Sequence, residues 1–273
     1  MTRRTEAVLV NGALLALAVI TMFPLVWMVL VSMMAPGEAS TSPAPLVPSS
    51  PTLAGYRELF VRRDLANNLV NSLGLASAAA LLSLAFNVTA GYAFAKLRFA
   101  GRDAIWKLLL GVMVVPAQVA MIPLFLMLKQ VGLVNSYAGV LIPSLANVFG
   151  IFLVRQYALG IPDELLEAAR IDGAGEWRIF GAIVLPVLRP ILVTLAIFAF
   201  LGSWNDFLWP LIVLADDARQ TLPVALAALS REHGGDSELM MAGAVVTIVP
   251  VLVVFLALQR YYLRGLLSGS VKG

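Results

Sequence analysis

The sequence predicts an all-α integral membrane protein with six transmembrane helices, both termini cytoplasmic, and a cytoplasmic helix–turn–helix between spans four and five. Three observations carry that expectation. Hydrophobic residues make up 60% of the 273-residue chain and charged ones 13%. The apolar residues gather into six long runs, near 8–33, 69–95, 105–128, 137–154, 191–214 and 239–258. The 19 Lys and Arg residues are shared unevenly between the loops that join those runs.

Each run is near or above the ~20 residues that cross a hydrocarbon core. In lipid, only helices or closed barrels satisfy every backbone N–H and C=O. The runs are continuous rather than alternating, which excludes a barrel. The first run follows Arg3 and Arg4, as a secretory signal would. It exceeds the ~7–15 apolar residues of a signal core and no clear A-x-A site follows, so it is expected to remain as the first span. With the N-terminus inside, the inner loops hold Arg3, Arg4, Lys96, Arg98, Arg102, Lys107, Arg155, Arg170, Arg178, Arg189, Arg260, Arg264 and Lys272. The outer loops hold only Arg57, Arg62, Arg63, Lys129, Arg219 and Arg231. Basic residues accumulate on the cytoplasmic side, so this bias sets the orientation. Residues 1–273 read as a single transmembrane domain, without internal repeat or second soluble domain.

Between the runs, the first outer loop carries Pro36, Pro43, Pro45, Pro48 and Pro51 and is expected to be extended or irregular. "TLAGYRELF" (52–60) reads as a short amphipathic helix. The third run contains Pro116 and Pro123 with Gln118 between them. Proline frees a backbone carbonyl and bends the helix there, either as a tolerated kink or as the lining of a pathway. The outer stretch "REHGGDSE" (231–238) holds His233, the one histidine, expected to be incidental.

Composition excludes several chemistries. The chain has no cysteine, hence no disulfide or thiolate metal site. A formal charge of +3 does not suggest nucleic acid. No G-x-x-x-x-G-K-[ST] is present, so nucleotide chemistry has no home here and energy for active transport must come from another polypeptide. No H-E-x-x-H, no G-x-S-x-G and no histidine within a run argues against an intramembrane enzyme. No cofactor and no metal are expected. A secondary transporter would need coupling charges near mid-membrane and commonly an inverted repeat; only Asp206 could serve, and no repeat is visible.

The loop between spans four and five departs most from the rest of the chain. In "EAARIDGAGEWRIFGAIVLP" (167–186), Glu167, Arg170, Asp172, Glu176 and Arg178 fall within twelve residues. Pro162 suits the start of a helix, and Asp163, Glu164 and Glu167 put negative charge at its positive end. Glu167 and Arg170 can pair weakly. Gly173 and Gly175 can end the helix. A second short helix follows, with Trp177, Phe180 and Ile183 or Val184 on one face, until Pro186 marks re-entry. These residues alone leave two readings open, a solvated loop or a surface that small alanines let a partner approach closely.

The spacing Glu167-Ala168-Ala169, three residues, Gly173, nine residues, Ile183-x-Leu185-Pro186 resembles the EAA loop of ATP-binding-cassette importer permeases. "VVPAQVAMIPLFLMLKQVGLVNSYAGVLIP", "IPDELLEAARIDGA", "WNDFLWPLIV" and the "VKG" ending are similar to the carbohydrate branch of that family, the maltose-type second permease. The resemblance implies a permease subunit that moves a mono- to oligosaccharide across the cytoplasmic membrane. Glycerol 3-phosphate or a polyol is the alternative cargo. It implies a second homologous permease subunit, two cytoplasmic ATPase subunits and an extracellular or periplasmic solute-binding protein as partners. It also implies that Glu167, Ala168, Ala169, Asp172 and Gly173 form the ATPase-coupling surface. A sugar pathway needs hydroxyl partners and aromatic faces, for which Asn87, Gln118, Asn147, Trp204, Asn205 and Asp206 are the intramembrane candidates. Each could instead be interhelical glue. Asp206, placed ~12 Å inside the fifth span at 1.5 Å per residue, should face a cavity or a neighbour. Alternatively it sits in wet headgroups, if Trp204 and Trp209 form an interfacial belt.

Overall fold

The computed structural model describes residues 3–43, 45–232 and 236–268, without the side chains of 3–6, 232 and 260–268. His233 and the "VKG" ending lie outside the described residues. No strand occurs among the described residues. Four continuous helical stretches are long and apolar enough to cross a bilayer. They are Ala7–Val31 within α1 (Arg3–Val31), α3 (Leu65–Lys96), Glu176–Trp204, and Ser237–Gln259 within α13 (Ser237–Ser268). The remaining two apolar runs are bent pairs that pass the same test together.

Proline explains the sharper bend. Between α4 (Arg102–Val112) and α5 (Met121–Gln130), Pro116 holds an extended ψ of 131° before a 3-10 turn, Ala117–Ala120. The two arms meet at 98°. The fourth run is α6 (Tyr137–Leu141) and α7 (Val148–Leu159), bent by 42°. Each of these helices starts on a side-chain cap: Ser136 Oγ accepts from Gly139 N–H at 3.1 Å, and Asn147 Oδ1 from Gly150 N–H at 3.2 Å. Such caps satisfy N–H groups that the helix cannot.

Two boundaries differ from the sequence expectation. The second short helix after Gly175 is not separate. α9 (Glu176–Ile179), a π-helical turn Phe180–Val184 and α10 (Leu185–Trp204) run on as one stretch. Just before Pro186, whose ring leaves no N–H for a regular bond, the ladder widens, with Leu185 N–H reaching Phe180 O. The fifth run also does not continue to Leu214 as one helix. It stops at Trp204, leaves 205–207 non-helical, and resumes as α11 (Leu208–Val213).

The chain gathers into two compact units, 1–66 with 225–250, and 67–224 with 251–273. In the first unit, most of α1 lies exposed, with Leu15 at 69% and Ile20 at 67%. The proline-rich loop is irregular, as expected, yet fastened. Thr52 N–H closes onto Met33 O at 2.8 Å. Glu38 accepts from Ser49 N–H at 2.6 Å and Ala35 N–H at 2.9 Å, which holds its carboxyl below the usual range. The buried Glu238 accepts from Ala39 N–H at 2.7 Å. Carboxylates replace the core that prolines and serines cannot build. The expected short helix appears as α2 (Ala54–Arg57) running into a π-helical turn, Glu58–Arg62, with Leu59 fully buried.

In the second unit, Val88 and Tyr92 of α3, Val154 and Ala158 of α7, and Leu188 and Ile191 of α10 form one buried cluster. α3 and α7 approach closely at Gly91, where a Cβ would lie 2.6 Å from Val154. Small residues permit such contacts between membrane helices. The loop after α11 is strapped to α3 by amides: Asn68 Nδ2 donates to Gln220 O at 3.0 Å and Asn71 Nδ2 to Ala218 O at 2.9 Å. Leu222, at the start of α12 (Leu222–Glu232), donates its N–H to Ser72 Oγ at 2.7 Å.

Candidate functional site

The polar loop is built on α8 (Asp163–Ile171). Gly173 has a φ of +80°, which only glycine adopts cheaply. Its N–H bonds Arg170 O at 3.0 Å, and Ala174 N–H bonds Ala169 O at 2.9 Å. That pair of bonds closes the helix by a Schellman motif. Inward, Leu166 is 1% exposed and joins the cluster of α3, α7 and α10. Outward stand Glu167, Ala168, Asp172 and Gly173, with Ala169 half-buried. Ile171 at 86% and Trp177 at 81% are the largest apolar groups on this exposed surface. Periodicity placed Trp177 on one face with Phe180. It meets Phe180 edge-on, with centroids 6.2 Å apart, but otherwise points away from the core.

The charges of the loop fasten it to α3. Lys96, its side chain 6% exposed, reaches Asp163 Oδ1 and Ile161 O, both at 2.6 Å. The Lys96 hydrogen bond holds the Asp163 carboxyl below its ordinary range. Arg170 makes its ion pair with Glu176, and Glu167 contributes only a weaker charge attraction. Arg170 Nε donates to Glu176 Oε1 at 2.8 Å, and Tyr92 Oη donates to Glu176 Oε2 at 3.3 Å. Glu176 therefore ties α8, the first turn of the α9–α10 helix and α3 together. Sequence reasoning missed Tyr92, Lys96 and Glu176 in this role.

A cavity of about 590 Å³ opens among α3, the bent pairs and the end of α10. Of the candidate pathway residues, Asn87, Gln118, Asn147 and Asp206 line it; Trp204 and Asn205 do not. Asn87 is largely engaged, Nδ2 donating to Ser83 Oγ at 2.7 Å and Oδ1 accepting from Asn147 N–H at 3.0 Å. Gln118 reaches the wall because of the Pro116 bend. Asp206 reaches it because the helix has ended two residues earlier, and its Oδ1 accepts from Trp209 N–H at 3.3 Å. Trp204 is 1% exposed and stacks on Phe200, while Asn205 Nδ2 donates to Leu201 O at 2.9 Å. Trp209 is 7% exposed and donates Nε1–H to Gly139 O at 3.2 Å. Both indoles are thus packed inside the protein. Among the described residues no group of three His, Cys, Asp or Glu side chains could hold a metal ion.

Long apolar helices, two of them broken around a cavity that carries a few polar groups, and an exposed polar loop bonded to the helix core define a multi-pass membrane transport component. Residues 87–267 match the family described as binding-protein-dependent transport system inner membrane component, and the chain belongs to it, as a permease of the inner membrane. It is 39% identical to the arabinooligosaccharides transport system permease protein AraQ of Halalkalibacterium halodurans, over 94% of this chain and 93% of that protein. It is 31% identical to the lactose transport system permease protein LacG of Rhizobium radiobacter, over 100% and 98%. Its fold is similar to a chain of a bacterial ABC transporter that imports the acidic polysaccharide alginate, with a TM-score of 0.83, 24% identity, and coverage of 96% and 99%.

Proposed function

We propose that this chain is one permease subunit of an ATP-binding-cassette importer that carries a mono- to oligosaccharide across the cytoplasmic membrane. It works as one domain of six spans with both termini cytoplasmic. It is paired with a second homologous permease, driven by two ATPase subunits and supplied by a solute-binding protein. The loop around α8 is the surface the ATPase grips, with Glu167, Ala168, Ala169, Asp172 and Gly173 at the contact. The relatives named for arabinooligosaccharides and lactose support a sugar as cargo. Asn87, Gln118, Asn147 and Asp206 form part of the solute path on this subunit.

The observation that carries the reading is the division of labour on α8. Its buried side enters the core through Leu166, while the motif residues and two large apolar side chains face outward. A loop that served only to connect helices would not present Ile171 and Trp177 to water beside a carboxylate. A docked subunit would cover them, because aromatic anchors dominate interface energetics. The test is Glu167→Lys in the assembled transporter. Uptake is expected to be lost while the protein still inserts at wild-type level. Wild-type uptake by this variant at equal expression sinks the assignment.

A further inference from the structure

The cavity is electrically one-sided. Asp206 is the one ionisable side chain among its described lining residues, and no Lys, Arg or His reaches the wall. The other polar groups there are neutral, including Gln118, Asn147 and Ser203, and Phe149, Phe198 and Trp209 supply ring faces. Asp206 accepts backbone N–H groups from Trp209, on Oδ1, and from Leu208, and among the described residues no cationic side chain hydrogen-bonds or ion-pairs with it. Low-dielectric walls focus the field of a single charge into the space they enclose. An uncharged sugar meets neutral hydrogen-bonding groups and rings in such a space. An anionic one meets like-charge repulsion with nothing on this wall to offset it. The fold by itself does not decide this, since it also serves a transporter of an acidic polysaccharide.

We propose that Asp206 makes this cavity a charge filter that admits uncharged, hydroxyl-rich solutes and repels anionic ones. The proposal rests on the reading of the cavity as part of the solute path. It deepens that reading by naming a selectivity-determining residue and the solute class excluded.

The test uses the absence of cysteine from the chain. Gly202 lines the cavity, and a Cβ built there meets nothing within 4 Å, so Gly202→Cys places a thiol in open space. The full transporter carrying it is reconstituted in nanodiscs, with both faces open to reagent. Modification of this chain is followed by intact mass. Three methanethiosulfonates are used: cationic trimethylammonium-ethyl, anionic sulfonato-ethyl and uncharged methyl. With rates normalised to a free thiol in solution, the cation is expected to react at least about fivefold faster than the anion at low salt. The ratio should fall as salt rises. Asp206→Asn should bring it to about one, and Asp206→Glu should keep it. A ratio near one with Asp206 intact, or one that Asp206→Asn leaves unchanged, overturns the filter. If Asp206→Asn fails to assemble, the ratio, its salt dependence and the Asp206→Glu result decide alone. No reaction with the uncharged reagent would mean a dry cavity and would overturn the path and the filter together. Equal reaction with all three would remove the filter and leave the path standing.

Discussion

The loop around Glu167 and the cavity around Asp206 are both polar islands in an apolar chain, and they use polarity in opposite ways. In the loop, charges are paired inward, Lys96 with Asp163 and Arg170 with Glu176, while the outer surface mixes a carboxylate, alanines and exposed Ile171 and Trp177. In the cavity a lone carboxylate lines a wall of neutral groups. A paired charge fixes the position of a helix; an unpaired one sets a field. The same residue types thus build a stiff attachment at one place and, on the proposal made here, a selective space at another.

The largest expected effect that would break this contrast concerns the exposed face. Trp177→Asp should reduce both uptake and co-purification of the ATPase subunit by at least about tenfold, in the range of aromatic interface anchors. Thermal stability of the permease should be unchanged, since the indole is 81% exposed. A lowered melting temperature with intact co-purification would make Trp177 structural. Next comes the buried side of α8, in the same loop. Leu166→Ala should cost about 2–5 kcal/mol, the usual cost of truncating a fully buried leucine. That loss would appear in thermal unfolding and as faster hydrogen exchange in 163–179.

A smaller effect sharpens the role of the pairs. The Arg170–Glu176 bridge is part-exposed, at 39% and 48%, so it adds at most about 1 kcal/mol to stability. Glu176→Gln should therefore leave melting nearly unchanged. It should raise the ATP hydrolysed per solute moved, measured in the reconstituted transporter. Unchanged stoichiometry would reduce the network to decoration. The smallest effect is with pH. The folded value of Asp163 lies below its ordinary one, so its contribution is complete above the usual Asp range near about 3.9 and fades only as pH falls through the lower folded value. Exchange in the loop, corrected for intrinsic rates, should be flat from pH 8 to 5. Loosening within that window would point to another titrating group.

Much of the architecture was legible because lipid allows so few solutions. Six apolar runs became four continuous stretches and two bent pairs, and Pro116 announced the sharper bend. The loop motif was legible through its spacing, and Gly173 does terminate the helix. The ties that hold the loop were not legible, because Tyr92 and Glu176 are 84 residues apart and Lys96 and Asp163 are 67. The exposure of Trp177 was not legible, because helical periodicity groups residues on a face without telling whether that face is packed within the chain or left bare. The helix end at Trp204 was hidden by an apolar stretch that continues to Leu214, which is why Asp206 was expected inside a helix rather than at its end.

The uninterrupted stretch from Glu176 to Trp204 has a mechanical consequence. Twenty-nine residues at 1.5 Å each make a rod of ~43 Å. One tip of that rod sits in the Arg170–Tyr92 clasp, and the other stops two residues short of Asp206. If the loop is gripped as proposed, a push at the first tip reaches the second along one continuous helix whose softer points are the π-helical turn Phe180–Val184 and Pro190, so the stroke at the loop and the rearrangement beside the carboxylate share a single moving part.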